Sequence, residues 1–104
     1  MKIVAVTSCP TGIAHTYMAA EAIERAAKKA GHEIVVETQG AGGKKNIPTE
    51  VLEAADVAIF AADIAVREKE RFAHLPLVTA TVKDAIRNAA KLIEEAEAKV
   101  SAQS

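Results

Sequence analysis

Val6-Thr7-Ser8-Cys9-Pro10-Thr11-Gly12-Ile13-Ala14-His15-Thr16 is the stretch on which the reading of this chain turns. It follows a continuously apolar run, Ile3 to Val6, and leads into an alanine-rich run beginning near Thr16. A short apolar run followed by helical spacing predicts a buried strand, a tight turn and a helix. Pro10 and Gly12 mark the turn, and Gly12 permits a backbone conformation that a side chain opposes. The single cysteine of the chain is thereby placed at the C-terminal tip of a first strand. Backbone N–H groups at a helix start, with their partial positive charge, make such a point a site for an anion. The same field favours thiolate over thiol at Cys9. A nucleophilic sulfur facing an oxyanion cradle points to phosphoryl chemistry.

A lone cysteine is also, commonly, a small buried hydrophobe. The strand-tip position, the turn residues on both sides, and His15 and Thr16 at the helix start favour the nucleophile. His15 either bonds a backbone group at the helix start or serves phosphate oxygens or the thiolate as imidazolium. Thr11 and Thr16 either supply hydroxyl donors or only cap.

Outward from this stretch, the first helix carries Ala19, Ala20, Ile23, Ala26, Ala27 and Ala30 at helical spacing, with Gly31 placed to end it. Met18 lies beside that stripe and is expected to pack. Glu21 with Arg25, and Glu24 with Lys28, form i, i+4 pairs on the opposite face. Glu33 to Glu37 reads as a short strand whose flanking glutamates suggest a sheet edge. The loop from Gln39 to Asn46 holds three of the five glycines. It lacks both G-x-G-x-x-G and the Walker lysine-serine pattern. Leaving the C-terminal end of a parallel neighbour, it belongs at the same sheet edge as Cys9, with Gln39 and Gly40 at the rim.

Pro48 to Ala55 reads as a short helix capped by Asn46 or Thr49. Val57 to Ala62 is a second continuously apolar strand ending at Asp63, which suits a helix cap or a place on the rim. Val66 to Phe72 reads as a helical turn whose charges form a solvated face. Leu75 to Thr79 makes a fourth strand, and Pro76 puts it at an edge. Thr81 with Asp84 resembles a capping pattern. The last helix places Val82, Ala85, Ile86, Ala89, Ile93, Ala96 and Val100 on one face, with the end from about residue 97, and Ser101 to Ser104 above all, expected to fray. His32 and His74 read as surface residues. No His, Cys, Asp or Glu grouping has metal-ligand spacing, and no cofactor is expected.

Strands alternating with helices predict an α/β three-layer sandwich over residues 1–104 as one domain. Right-handed crossovers, with the two apolar strands central, give a four-stranded parallel sheet of order 2-1-3-4 and helices on both faces. The topological switch then falls between strands 1 and 3, at Cys9.

The segment Cys9-Pro10-Thr11-Gly12-Ile13-Ala14-His15-Thr16-Tyr17-Met18-Ala19-Ala20-Glu21 resembles the active-site motif of the fructose-type IIB components of the bacterial phosphoenolpyruvate-dependent sugar phosphotransferase system. Glu37-Thr38-Gln39-Gly40 with Asn46, and Ala61-Ala62-Asp63-Ile64 with Arg71-Phe72, are similar to the same family. The likeness runs from Lys2 to about Lys91. Ala41 departs from it, standing where such proteins often carry a small polar residue. The resemblance implies the same fold and a phosphoryl carrier. Cys9 takes the group from a phosphohistidine of a IIA domain and passes it to a sugar, fructose or a related hexose, held by a membrane IIC domain.

Length and composition are consistent with this. With 104 residues, 50% of them hydrophobic but only 3% aromatic, the core must be built from Ala, Val, Ile and Leu. A formal net charge of −1 makes no case for nucleic acid. No apolar stretch approaches the ~20 residues that span a bilayer. Met1-Lys2 runs straight into a strand rather than a secretory signal, and one cysteine suits a reducing cytoplasm. Any membrane role is therefore reached through a partner. Two alternatives compete. Cys9 and His15 frame a loop shaped like the C-x5-R-[ST] loop of low-molecular-weight-type cysteine phosphatases, with histidine where their arginine clamp belongs. A non-enzymatic anion-binding adaptor would use Cys9 only for packing.

Overall fold

The computed structural model describes residues 1–8, 13–39 and 47–103. Four parallel strands, β1 (Lys2–Ser8), β2 (Glu33–Gln39), β3 (Val57–Ala62) and β4 (Leu77–Ala80), form one sheet of order β2-β1-β3-β4. Three helices, α1 (Ile13–Lys29), α2 (Thr49–Ala54) and α3 (Val82–Gln103), and a 3-10 turn over Lys69–Phe72 cover it. This is the α/β arrangement that the alternation of elements predicts. β1 pairs with β2 from Lys2–Glu33 to Ser8–Gln39 and with β3 from Ile3–Val57 to Ser8–Ala62, so all three strands end level.

The period of two along β1 splits the interior into two cores. Ile3 and Ala5 face α1 and α3, where Ala19, Ile23, Ala27, Val82, Ala85 and Ile93 are buried. Val4 and Val6 face the other way, against Ile47, Leu52, Phe60 and Phe72. The rings of Phe60 and Phe72 meet edge to face at 5.1 Å, an arrangement the ring quadrupoles favour. Two of the chain's three aromatic side chains thus fill this layer, where α2 and the 3-10 turn are the helical elements that supply cover among the described residues.

Local chemistry accounts for the helix ends. Gly31 sits at φ +84°, its N–H bonded to the Lys28 carbonyl, while the His32 N–H bonds to Ala27. That is a Schellman termination, which requires the left-handed backbone glycine allows. Thr81 Oγ1 accepts the Asp84 N–H at 3.1 Å, as the capping pattern predicts. Arg25 donates to Glu21 as i, i+4 spacing predicts.

Several elements depart from the sequence expectation. α1 begins at Ile13, ahead of the alanine stripe, so that His15 and Thr16 lie within its first turn. Ala30 and Met18 are exposed, Met18 at 51%, so Met18 does not pack in the core. α2 has Pro48 at its N-cap with no side-chain cap, and Thr49 is already helical; Asn46 lies outside the described residues. β2 is an edge strand, but Glu37 is buried rather than flanking the edge in water. β4 is likewise an edge, two residues later than expected; the Pro76 carbonyl just before it accepts the Ala58 N–H. The buried stripe of α3 also takes in Leu92, one heptad beyond Ala85, and the helix bends at Asn88 (φ −135°, ψ 46°). α3 keeps helical backbone through Gln103. His32 is not a surface residue. Its side chain is largely buried, with Nε2 2.7 Å from Glu97 and Nδ1 3.2 Å from the Met1 amine.

Candidate functional site

The C-terminal ends of β1, β2 and β3 lie side by side. Cys9, Pro10, Thr11 and Gly12 lie outside the described residues, as do Gly40 and the rest of 40–46. Thr7 Oγ1 donates to the Thr16 carbonyl at 3.2 Å, tying the end of β1 to the first turn of α1, which Ile13 and Ala14 open. Both Thr7 and Thr16 are buried. The buried Ser8 accepts the Asp63 N–H at 2.9 Å, so the residue before Cys9 is held to the residue that follows β3.

Asp63 performs a second task. Its Oδ1 accepts the Val82 N–H at 3.1 Å, so it caps the start of α3 across 19 positions of sequence. Of the two sequence readings for Asp63 the cap is realised, on a helix far along the chain. His15 is exposed and lines a cleft of about 390 Å³ with Met18, Asp63, Val82, Lys83, Ile86 and Arg87. Three groups of positive or titratable character and one carboxylate already engaged with a backbone N–H give the cleft a cationic bias. A roomier cleft, about 490 Å³, runs between the sides of α1 and α3 along Ala22, Ala26, Ala89 and Ala90. Its lining holds no cysteine, serine or threonine.

Gln39 belongs to a cluster the sequence reading only half anticipated. Its amide brackets Arg67, accepting the Arg67 N–H at 2.8 Å and donating to the Arg67 carbonyl at 3.0 Å. Two positions earlier on the same strand face, the Glu37 carboxylate accepts from Arg71 Nη1 at 3.1 Å and Nη2 at 2.8 Å. It also accepts from Gln39 Nε2 at 2.6 Å and from the Ile47 N–H at 3.0 Å. With its side chain 2% exposed, Glu37 is deeply desolvated. Burial alone pushes its pKa up, but the bonds from Arg71, Gln39 and Ile47 outweigh burial and hold it below its ordinary value. Arg71 is raised in turn, chiefly by its bond to Glu37. The guanidinium also lies 5.0 Å from the Phe72 ring centroid. Arg71 thus leaves the solvated face expected of the charges in residues 66–72, while Arg67, Glu68, Lys69 and Glu70 are exposed as expected.

Glu37 and Arg71 are the residues sequence reasoning placed wrongly. The signal available was two polar residues, Glu37 and Gln39, at i, i+2 directly after the apolar run Ile34 to Val36, which puts both on one face. Among the described residues no three His, Cys, Asp or Glu gather as a metal site needs, and no helix is long and apolar enough to cross a membrane.

Residues 4–95 match the sequence model of the family described as PTS system, lactose/cellobiose-specific IIB subunit. The chain is 47% identical over 98 residues to the PTS system fructose-like EIIB component 2 of Escherichia coli K12, covering 93% of this chain and 92% of that protein. It is also 47% identical over 95 residues to the 2-O-alpha-mannosyl-D-glycerate-specific EIIABC component of the same organism, covering 90% of this chain but 14% of that one. Among solved structures, a domain of the fructose-specific IIABC component of Borrelia burgdorferi superposes with a TM-score of 0.88 at 41% identity, over 94% of both chains.

Proposed function

The chain belongs to the IIB family of the sugar phosphotransferase system, and we propose that it is the phosphoryl carrier of such a system, with Cys9 as the residue that bears the phosphoryl group. The observation that carries this reading is the place in the fold from which the chain continues into Cys9. Position 9 directly follows Ser8, whose carbonyl is fixed to Asp63 at the level end of three parallel strands. Ligands of open parallel sheets bind at that edge.

In the first step the Cys9 thiolate attacks the phosphorus of a phosphohistidine on a IIA domain. The P–S bond forms as the P–N bond breaks, and the imidazole leaves. In the second step a hydroxyl oxygen of the sugar, fructose or a related hexose held by a membrane IIC domain, attacks the same phosphorus. The S–P bond breaks, the thiolate is regenerated, and the hydroxyl proton passes to a base on the acceptor side. In the loop formed by Pro10 to Ala14 and Thr16, the backbone N–H groups of Thr11, Gly12, Ile13, Ala14 and Thr16 would stabilise the charge on the phosphoryl oxygens, Pro10 having no N–H to give. His15, exposed and lining a cleft with Asp63, would assist the thiolate or the transferred group. Gln39, Gly40 and Asp63 would form the rim. A cysteine phosphatase would need, at position 15, the arginine fork that histidine does not supply. Residues 1–104 would act as one cytoplasmic IIB unit, reaching the membrane through IIC, with no bound cofactor.

The test is incubation with phosphorylated IIA followed by peptide mass spectrometry. The phosphoryl group should appear on the peptide containing Cys9 and vanish in Cys9→Ser. Phosphate on His15 with Cys9 unmodified would overturn the mechanism.

A further inference from the structure

The connection from β3 to β4 takes a detour. Asp63 leaves the end of β3 with its N–H on Ser8, Arg67 is bracketed by Gln39 on β2, and Arg71 is gripped by Glu37, also on β2. The chain then returns to β4 on the far side of β3. Because the sheet order is β2-β1-β3-β4, the strap of residues 63–72 crosses the end of β1 between Asp63 and Arg67, where residue 9 follows Ser8, before Phe72 turns onto the Val4 and Val6 face. Glu37 also holds the Ile47 N–H, so the same carboxylate and its neighbour Gln39 secure both described flanks of 40–46.

Stability alone does not call for a carboxylate here. Glu37 and Gln39 are 2% and 6% exposed. Apolar side chains of similar volume beside Ile47 and Phe72 would avoid the desolvation cost that a buried ion pair carries. What apolar residues cannot do is fix direction. Four bonds converging on one carboxylate hold three separate segments in a single mutual arrangement.

We propose that Glu37, acting through Arg71 and Gln39, is a positioning residue for phosphoryl transfer: it clasps the 63–72 strap along the end of β1 and so sets where an incoming phosphohistidine meets the Cys9 sulfur. This rests on the carrier reading above. The sulfur and phosphorus must meet in line, and a displacement of about 1 Å costs on the order of 100-fold in rate.

The experiment is single-turnover transfer from phosphorylated IIA to the whole chain by rapid quench, at varied IIA concentration. Glu37→Gln and Arg71→Lys keep size and, in the second case, charge, but each breaks the two-pronged grip. Thermal melts fix a temperature at which each variant is folded. Both should lower the saturating rate by about 10-fold or more, with half-saturating IIA within about twofold of wild type. Gln39→Ala, which releases Arg67 and takes one donor from Glu37 while leaving both Arg71 bonds in place, should lower the rate about 3- to 10-fold and decides the matter if Glu37→Gln does not fold. Folded variants at the wild-type rate, or a change confined to half-saturation, would overturn the positioning role. Wild-type chain that takes no phosphoryl group on Cys9 would instead overturn the carrier reading, and this role with it.

Discussion

Replacing Arg71 with methionine removes the charge of the clasp while keeping aliphatic cover over Phe72. Both guanidinium bonds to Glu37 are lost, leaving the carboxylate with only Gln39 and the Ile47 N–H. Breaking a buried ion pair from one side costs about 3–5 kcal/mol. The two surviving bonds put this case at the lower end, about 3 kcal/mol. A domain of this size loses about 4–8 °C of melting temperature per kcal/mol, so the fall at neutral pH should be on the order of 15 °C. The pH dependence is the sharper measurement. Glu37 has a folded pKa below its ordinary 4.5. A depressed carboxyl contributes its full stabilisation above the unfolded pKa, and the contribution is lost as pH falls through the folded pKa. In Arg71→Met, burial faces two neutral donors alone, so the folded pKa moves up and part of the charge-linked stability is already missing at neutral pH. The deficit of the variant relative to wild type should therefore shrink as pH is lowered. Urea titrations followed by circular dichroism at about pH 7, 5.5 and 4 span the carboxylate range. A deficit constant across that range would refute the account, because it would mean Glu37 carries no charge that Arg71 sustains.

Three further outcomes are expected. His15→Ala should slow transfer by about one to two decades in the quench assay, the range for one lost donor to a developing charge, with the melting temperature unchanged. Asp63→Ala should cost about 1 kcal/mol through loss of the α3 cap, while Asp63→Asn, which keeps an acceptor for the Val82 N–H, should cost much less; chemical denaturation reads both. Phe72→Ala should cost about 3–5 kcal/mol by opening a cavity against Phe60, Val4 and Val6, seen as a lower denaturation midpoint.

The sequence by itself determined the alternation of elements, the parallel sheet and its order, and the placing of Cys9, Gln39 and Asp63 at the ends of β1, β2 and β3. It could do so because those features follow from short-range patterns. Four-residue apolar runs such as Ile3 to Val6 identify central strands, Gly31 ends a helix by its φ, and crossover handedness orders the strands. The family was legible for a similar reason, since the residues quoted for it form short contiguous segments. Tertiary structure alone decided the partners of the polar residues. Asp63 caps a helix 19 positions away, Gln39 brackets Arg67 over 28, and Glu37 meets Arg71 over 34. A glutamate or arginine in isolation is cheapest in water, so each reads as solvated when taken one at a time. Only when the strap passes the end of β1 do the two desolvate together, and that pairing exists in the folded geometry rather than in either residue's neighbours along the chain.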